Sequence, residues 1–282
     1  MSTGIENHAW FTEVSSGKYQ INSIAIYKLL REEIDTKIDE DESISNIIKW
    51  ISSSTKARFL ESFGKLPETG ALNNSVGRWN EFLATSLLSE LAINKNLGSD
   101  QCVVIFSLPN STVKVGNIPE FLKLFKQSSI TMLSQNISGI FFPSPDYVVA
   151  LITNEELIEH SKQLVHEQME DPASLALFHY LEGKLEFSEV KSIISLKTSH
   201  RPDRRYQPSF EASMIKAIGC FLKNPWKYYM VTSELRSADK TLFENISSPH
   251  TIASGTCEKL VDEILLYDKK SDLIPLLDSA TL

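Results

Sequence analysis

The sequence predicts an α/β or α+β domain in which helices flank a mixed central β-sheet. Short, continuous apolar runs rich in β-branched and aromatic residues are typical of strands covered on both faces, and longer segments carry apolar residues at helical spacing. The 282 residues, 42% apolar and 23% charged, are enough for a sizeable core. Because neither a linker nor an internal repeat divides the chain, we predict one domain over residues 1–282.

The individual elements follow from the same two patterns. Four runs of β-branched and aromatic residues predict strands at Cys102–Phe106, Tyr147–Ile152, Val190–Leu196 and Trp226–Thr232. Six segments with apolar residues at a period near 3.6 predict helices at Ile21–Ile34, Trp79–Ala92, Ile118–Phe125, Glu155–Met169, Phe210–Leu222 and Glu258–Leu266.

Several functional classes lack their motifs. No apolar stretch approaches the roughly 18 to 20 residues that span a bilayer, and no export signal begins the chain, so we expect a cytoplasmic protein without membrane contact. The widely spaced cysteines argue against a disulfide framework and a zinc site. The glycines form no phosphate-binding loop, which predicts no nucleotide cofactor, and neither HExxH nor GxSxG occurs.

The charge is unevenly distributed. The net charge of −8 argues against a polyanionic partner for the chain as a whole, yet residues 191–240 carry ten Lys and Arg against four Asp and Glu. The remaining residues carry 18 against 32. Only this one segment is therefore suited to contact an anion.

Four chemically active residues occupy positions close to predicted strands and the apolar face of a helix. Asp146 directly precedes one strand, and Ser195 and Lys197 share one face of another because side chains alternate along a strand. Glu211 has Met214, Ile215 and Ile218 as its i+3, i+4 and i+7 neighbours, which puts a carboxylate on or beside a buried helix face.

Together these groups have the chemistry for metal-assisted phosphodiester hydrolysis. Carboxylates such as Asp146 and Glu211 can hold Mg²⁺, and a lysine such as Lys197 can position the attacking water or neutralise developing charge. Taken singly, a turn aspartate and a lysine at a strand end also have ordinary structural explanations.

Residues 197–205 read KTSHRPDRR, a dense cluster of donors around one acceptor. Arginine can bind guanine O6 and N7 bidentately in the major groove, and aspartate can accept from cytosine N4. The cluster therefore has the chemistry to read neighbouring G·C pairs. A surface loop held by salt bridges is the alternative.

These motifs resemble the type II restriction endonucleases specific for a CCGG core, within the PD-(D/E)xK nuclease superfamily. The resemblance rests on Pro145-Asp146 and on SLKTSHRPDRRYQPSFEASMIKA at 195–217. In this family Ser or Thr replaces the usual second carboxylate, as Ser195 does here, and a glutamate from the following helix substitutes for it. Glu211, fourteen residues after Lys197, matches that glutamate. Weaker similarity covers most of the chain and implies a restriction-endonuclease-like fold.

The resemblance implies specific roles. Arg201, Asp203 and Arg204 would read CCGG in the major groove. Asp146, Lys197 and Glu211 would bind Mg²⁺ and cleave before the first C, leaving 5′-CCGG overhangs. A restriction-modification role with a cognate methyltransferase follows.

The resemblance also concerns the N-terminal half. Glu81 occupies the position of a further acidic residue near the family's active site, although an exposed helix glutamate is the plain alternative. We expect residues 1–60 to form a helical subregion for dimer contacts and flanking DNA, and a palindromic site requires a homodimer, with a tetramer or higher assembly left open. Candidate contacts to flanking DNA are Asn73, Asn74, Arg78 and Arg205, with helix N-capping as the alternative for the asparagines.

Two other functions stay open at this stage. One is a catalytically silent protein that binds CCGG, which would require a damaged catalytic position. The other is a repair or junction-resolving nuclease of the same superfamily, although such enzymes mostly grip the phosphate backbone and have little use for a base-reading cluster.

Overall fold

The computed structural model describes residues 10–109, 120–129, 131, 145–197, 206–233, 235 and 237–278. The chain divides into two units, Met1–Ala84 with Asp268–Lys270, and Thr85–Tyr267 with Ser271–Leu282. The single nuclease domain with a helical subregion over residues 1–60 stays a prediction.

The first unit begins with a hairpin and continues as helices. Strands β1 (Phe11–Ser15) and β2 (Lys18–Ile21) pair antiparallel around a turn in which Gly17 has a φ of 74°, a conformation that favours glycine. The elements are β1 (Phe11–Ser15), β2 (Lys18–Ile21), α1 (Ser23–Leu29), α2 (Arg31–Asp39), α3 (Ile44–Phe63) and the first part of α4 (Thr69–Asn96).

Aromatic and aliphatic side chains form the core of this unit. The rings of Phe11 and Phe59 meet edge to face with centroids 4.9 Å apart. Trp79 is fully buried, and its indole Nε1 donates to the carbonyl oxygen of Ser23 at 3.0 Å. This bond satisfies the one polar atom of a large apolar side chain.

The second unit holds the central sheet. After the remainder of α4, its elements are β3 (Cys102–Ser107), α5 (Glu120–Lys123), β4 (Tyr147–Ile152), α6 (Glu155–Glu170), α7 (Ala176–Leu181), β5 (Val190–Lys197), α8 (Tyr206–Phe221), β6 (Lys227–Thr232), α9 (Ser237–Asn245), α10 (Pro249–Ser254), β7 (Glu263–Leu266) and α11 (Ile274–Asp278). A 3₁₀ turn covers Lys270–Leu273.

The five strands are ordered β3-β4-β5-β6-β7. The β3–β4 and β4–β5 pairs are antiparallel, and the β5–β6 and β6–β7 pairs are parallel, so the sheet is mixed. Helix α6 packs on β3 and β4, α8 on β6, and α9 on β7. This architecture confirms the predicted α/β class with helices flanking a mixed sheet.

The four predicted strands are confirmed, whereas the helix predicted at Glu258–Leu266 is wrong and the one predicted at Ile21–Ile34 is wrong in part. Residues 263–266 of the segment Glu258–Leu266 form β7, because parallel pairing with β6 supplies the backbone hydrogen bonds that a short helix would otherwise have to make. The segment Ile21–Ile34 begins in β2 and is broken into α1 and α2 at Leu30, where ψ is 9°.

Helices α4, α6 and α8 include most of the segments predicted for them, and α5 is shorter than predicted because Phe125 forms a parallel bridge with Leu185. The first residues of that predicted helix, 118 and 119, lie outside the described residues. Among the described residues, no helix is both long and apolar enough to cross a bilayer.

Gly219 allows α8 to approach the turn before β6. A Cβ added at Gly219 would lie 2.6 Å from the backbone oxygen of Asn224 and 3.3 Å from the backbone nitrogen of Trp226. Both neighbours are backbone atoms, so relief requires the helix or the turn to move.

We therefore expect G219A to lower the free energy of unfolding by about 1–3 kcal/mol, as in other overpacked cores. The control is G77A in α4, where the added Cβ meets no atom within 4 Å, and this change should be neutral or stabilise by about 0.5–1 kcal/mol. Melting temperatures of the two variants test the difference. A G219A variant as stable as G77A would contradict the close approach.

Candidate active site

Asp146 connects the ends of three neighbouring strands. It directly precedes β4, and its carbonyl oxygen accepts from the backbone N–H of Leu108, just after β3, at 3.1 Å. Its carboxylate oxygen Oδ2 accepts three bonds from β5: 2.7 Å from the Leu196 backbone N–H, 2.8 Å from Lys197 Nζ and 3.3 Å from Ser195 Oγ. Asp146 is thus fixed through both its backbone and its side chain.

Strand β5 presents Ser195 and Lys197 on the same face, as side-chain alternation predicts. Ser195 is fully buried, whereas the side chains of Lys197 and Asp146 are 27% and 29% exposed. The ammonium group and the carboxylate therefore form a charge-assisted hydrogen bond that solvent and a substrate can still reach.

Glu211 comes from α8, the helix that follows the KTSHRPDRR cluster. Its side chain is only 6% exposed, and Pro208, Ala212 and Ile215 are buried on the same helix. The hydroxyl of Tyr228, on β6, donates to Glu211 Oε1 at 2.7 Å. A buried carboxylate requires a partner of this kind, because desolvating an unpaired charge is costly.

The electrostatics link this carboxylate to the others. Burial raises the pKa of Glu211 to about 7, and the negative charge of Asp146 adds to this rise. The hydrogen bond from Tyr228 and the positive charge of Lys197 lower the pKa of Glu211 and partly oppose the rise. Burial also raises the pKa of Tyr228 well above its ordinary range, and the neighbouring Glu211 adds to that rise. Glu211 therefore lies within electrostatic range of both Asp146 and Lys197.

The donor set suits a hard divalent cation. Mg²⁺ is usually held by one or two carboxylates together with water and substrate oxygens. Within the described residues, the three hydrogen bonds to the Asp146 carboxylate are all accepted by Oδ2, and the bond to the Glu211 carboxylate is accepted by Oε1. These bonds leave the second oxygen of each carboxylate for a cation. No group of three or more Asp, Glu, His or Cys side chains suited to a metal occurs within the described ranges.

A second contact fixes α8 against β6. Lys216 of α8 forms an ion pair with Asp262, and the same Asp262 oxygen accepts from the backbone N–H of Tyr228 at 2.7 Å. The helix that carries Glu211 is thereby tied to the strand that carries its hydroxyl donor.

Four residues of α4 are predicted to belong to the active site or to contact flanking DNA. Glu81, Asn73, Asn74 and Arg78 belong to the first unit, and Glu81 pairs with Arg78 at 3.2 Å in a partly exposed contact. Asn73 and Asn74 are exposed and lie inside the helix, which begins at Thr69, so the alternative that they cap its N-terminus is wrong.

The proposed base readers Arg201, Asp203 and Arg204 lie outside the described residues, as does Arg205. Their roles stay predictions. Sequence reasoning missed Tyr228. It lies in a predicted strand, but nothing local distinguishes it from Tyr229 beside it.

Comparison with known proteins gives consistent results along nearly the whole chain. A family model described as Cfr10I/Bse634I restriction endonuclease matches residues 5–281. The type II restriction enzyme Cfr10I of Citrobacter freundii is 25% identical over 273 residues, covering 91% of this chain and 93% of the relative.

Solved structures share the fold. The Bse634I restriction endonuclease superposes with a TM-score of 0.73 at 23% identity, covering 100% of this chain and 99% of the other. The type IIF restriction endonuclease Bse634I with cognate DNA gives 0.74 at 22% identity, covering 96% and 97%.

The raised pKa of Glu211 makes metal-free stability depend on pH. A carboxyl group whose pKa is about 7 when folded and about 4.5 when unfolded stabilises the fold fully below pH 4.5 and loses that contribution as the pH rises through 7. The wild-type protein in EDTA should therefore lose about 3 kcal/mol of unfolding free energy relative to E211Q over this interval.

Urea unfolding of the two proteins at a series of pH values measures this difference. The matched control is E258Q, at an exposed glutamate, whose profile should run parallel to that of the wild type. A constant difference between E211Q and wild type from pH 4.5 to 8 would contradict the raised pKa.

Proposed function

Because the chain belongs to the Cfr10I/Bse634I restriction endonuclease family, we propose that it cleaves double-stranded DNA at a palindromic site with a CCGG core. The chain is a type II restriction endonuclease, a site-specific deoxyribonuclease. In the proposed reaction it hydrolyses the phosphodiester before the first C of the core, with Mg²⁺, and leaves 5′-CCGG overhangs.

The observation that carries the proposal is the joint placement of Asp146, Lys197 and Glu211. The charge-assisted contact between Lys197 and Asp146 holds an ammonium group beside one carboxylate, and the second carboxylate lies within electrostatic range of both. The proposed catalytic positions Asp146, Lys197 and Glu211 hold the charged residues that the reaction requires, which argues against a silent DNA-binding protein.

The proposed mechanism assigns each group a task. Asp146 and Glu211 would hold Mg²⁺, and the ion would supply Lewis-acid chemistry to the scissile phosphate and the attacking water. Lys197, oriented by Asp146, would stabilise the negative charge that develops on the phosphoryl oxygens and orient the attacking water. Ser195, bonded to Asp146, would hold that carboxylate in place.

Sequence recognition is assigned to Arg201, Asp203 and Arg204, whose side chains offer the donors and acceptor that G·C pairs present in the major groove. Flanking contacts are proposed for Arg205, Asn73, Asn74 and Arg78, and Glu81 is proposed as an additional acidic residue of the active site.

The palindromic site requires two-fold symmetry in its reader, so the proposed assembly is a homodimer, with a tetramer as the alternative. A restriction-modification role would place the enzyme in the cytoplasm, together with a methyltransferase that protects host DNA.

Plasmid digestion with Mg²⁺ or with EDTA tests the reaction, and sequencing the fragment ends tests the site. Discrete Mg²⁺-dependent ends reading 5′-CCGG support the proposal. Binding to CCGG duplexes without cleavage would favour the silent binding protein, and preferred cutting of branched DNA would favour a junction-resolving nuclease.

We expect K197A and E211A to reduce cleavage by at least about a hundredfold, because each removes a charge that the transition state requires. Binding to CCGG duplexes in EDTA should be spared. The matched control is K191A on the same strand. Within the described part of the chain, this lysine donates to the nearby carbonyl of Ser188, away from the proposed catalytic residues, so cleavage should stay near wild type. Cleavage by E211A or K197A at the wild-type rate would refute the catalytic assignment.

We expect R204A to lose about 1–3 kcal/mol of discrimination between CCGG and altered sites, since a bidentate contact to guanine is lost. Competition binding with CCGG and random duplexes measures it. An equal loss of affinity for both DNAs would instead identify Arg204 as a phosphate contact.

A further inference from the structure

The phenol of Tyr228 contacts one of the two carboxylates of the site. The residue is fully buried in β6, and its hydroxyl donates to Glu211 Oε1 at 2.7 Å. Among the hydrogen bonds of the described residues, the one that Glu211 accepts on its side chain comes from Tyr228. Neither the sequence motifs nor the family comparison points to this tyrosine.

The strand register places Tyr228 on the side of the sheet that carries the other site residues. It pairs with Ile193 in the parallel β5–β6 ladder, and Ser195 follows Ile193 by two residues and so shares its face. Ser195 donates to Asp146 Oδ2 at 3.3 Å. Tyr228 and Ser195, which bond the two carboxylates of the site, therefore share one face of the sheet.

The contact is fixed at both ends. The backbone N–H of Tyr228 donates to Asp262, and Asp262 pairs with Lys216, which follows Glu211 by five residues on α8. In the bond between the two side chains, the Tyr228 hydroxyl donates and Glu211 Oε1 accepts.

We propose that Tyr228 is a positioning residue that holds Glu211 Oε1 and thereby presents the other carboxylate oxygen, Oε2, to the metal. The inference rests on the proposed function, in which Glu211 is a metal ligand. Tyr228 itself touches neither metal nor substrate in this scheme and acts only through Glu211.

The test is Y228F, which removes the hydroxyl and keeps the ring. The Mg²⁺ concentration for half-maximal cleavage should rise about tenfold, the effect of losing one hydrogen bond to a charged group, while the KM for DNA stays near wild type. The matched control is Y147F, because Tyr147 is equally buried and loses a comparable bond to Thr85 Oγ1 at 2.9 Å. It should leave the Mg²⁺ requirement unchanged.

A second readout does not depend on activity. The rise in melting temperature caused by Mg²⁺ alone should be smaller in Y228F than in wild type and equal to wild type in Y147F. In an E211Q background, Y228F should produce no further loss of this Mg²⁺ response, because both changes act on the same ligand.

Three results would overturn the proposal. The first is a Mg²⁺ response in Y228F as large as in wild type, and the second is a response in Y147F that is reduced as much as in Y228F. The third is that Y228F reduces the Mg²⁺ response in the E211Q background by as much as it does in the wild-type background. Should Y228F fail to fold, the double variant Y228F/E211Q should fold, since no buried carboxylate then lacks its donor; an equally unfolded double variant identifies Tyr228 as a packing residue. If the wild-type protein cleaves no DNA, the proposed function fails, and the melting measurements still decide the role of Tyr228.

Discussion

The candidate active site depends on one carboxylate oxygen, Oδ2 of Asp146, which accepts bonds from three consecutive residues, 195–197, of the neighbouring strand. This arrangement requires one register of β4 against β5, the register in which Tyr147 pairs with Ile194. Because side chains alternate along a strand, a slip by one residue would turn Ser195 and Lys197 to the opposite face. The buried apolar residues of both strands fix that register, so the core and the site impose the same constraint.

Strand β5 carries no carboxylate two residues before Lys197, and Glu211 brings one from the following helix, α8. Ser195 occupies that strand position instead. A carboxylate on a helix packed against the sheet is desolvated, which the raised pKa of Glu211 reflects. The phenol of Tyr228 and the charge of Lys197 partly offset that cost, and a bound cation would offset more of it. Glu211 is therefore a carboxylate whose ionisation depends on its neighbours.

The sequence was sufficient for elements and residues governed by local patterns. The strands β3 to β6 follow from continuous apolar runs, and the face shared by Ser195 and Lys197 follows from side-chain alternation alone. The elements and residues that the sequence did not predict depend on contacts between distant parts of the chain. The β1–β2 hairpin is short and mostly polar, β7 is a strand because β6 lies beside it, and Tyr228 matters because strand register brings its hydroxyl to a helix residue seventeen positions earlier.

Chain connectivity relates recognition to cleavage in the proposed reaction. Each proposed base reader lies within seven residues of Lys197, which ends β5, and the readers are followed by α8, which carries Glu211. Seven residues of extended chain span at most about 25 Å, so a base pair read by this segment cannot lie far from the lysine. The strand and the helix that adjoin the readers are the same elements that position the Lys197–Asp146 pair and the Tyr228–Glu211 pair. In the proposed reaction, a displacement of the readers on a mismatched base pair would act on the two chain ends that adjoin them, which carry the proposed catalytic groups. Chain connectivity would thus provide a short physical route from sequence readout to hydrolysis.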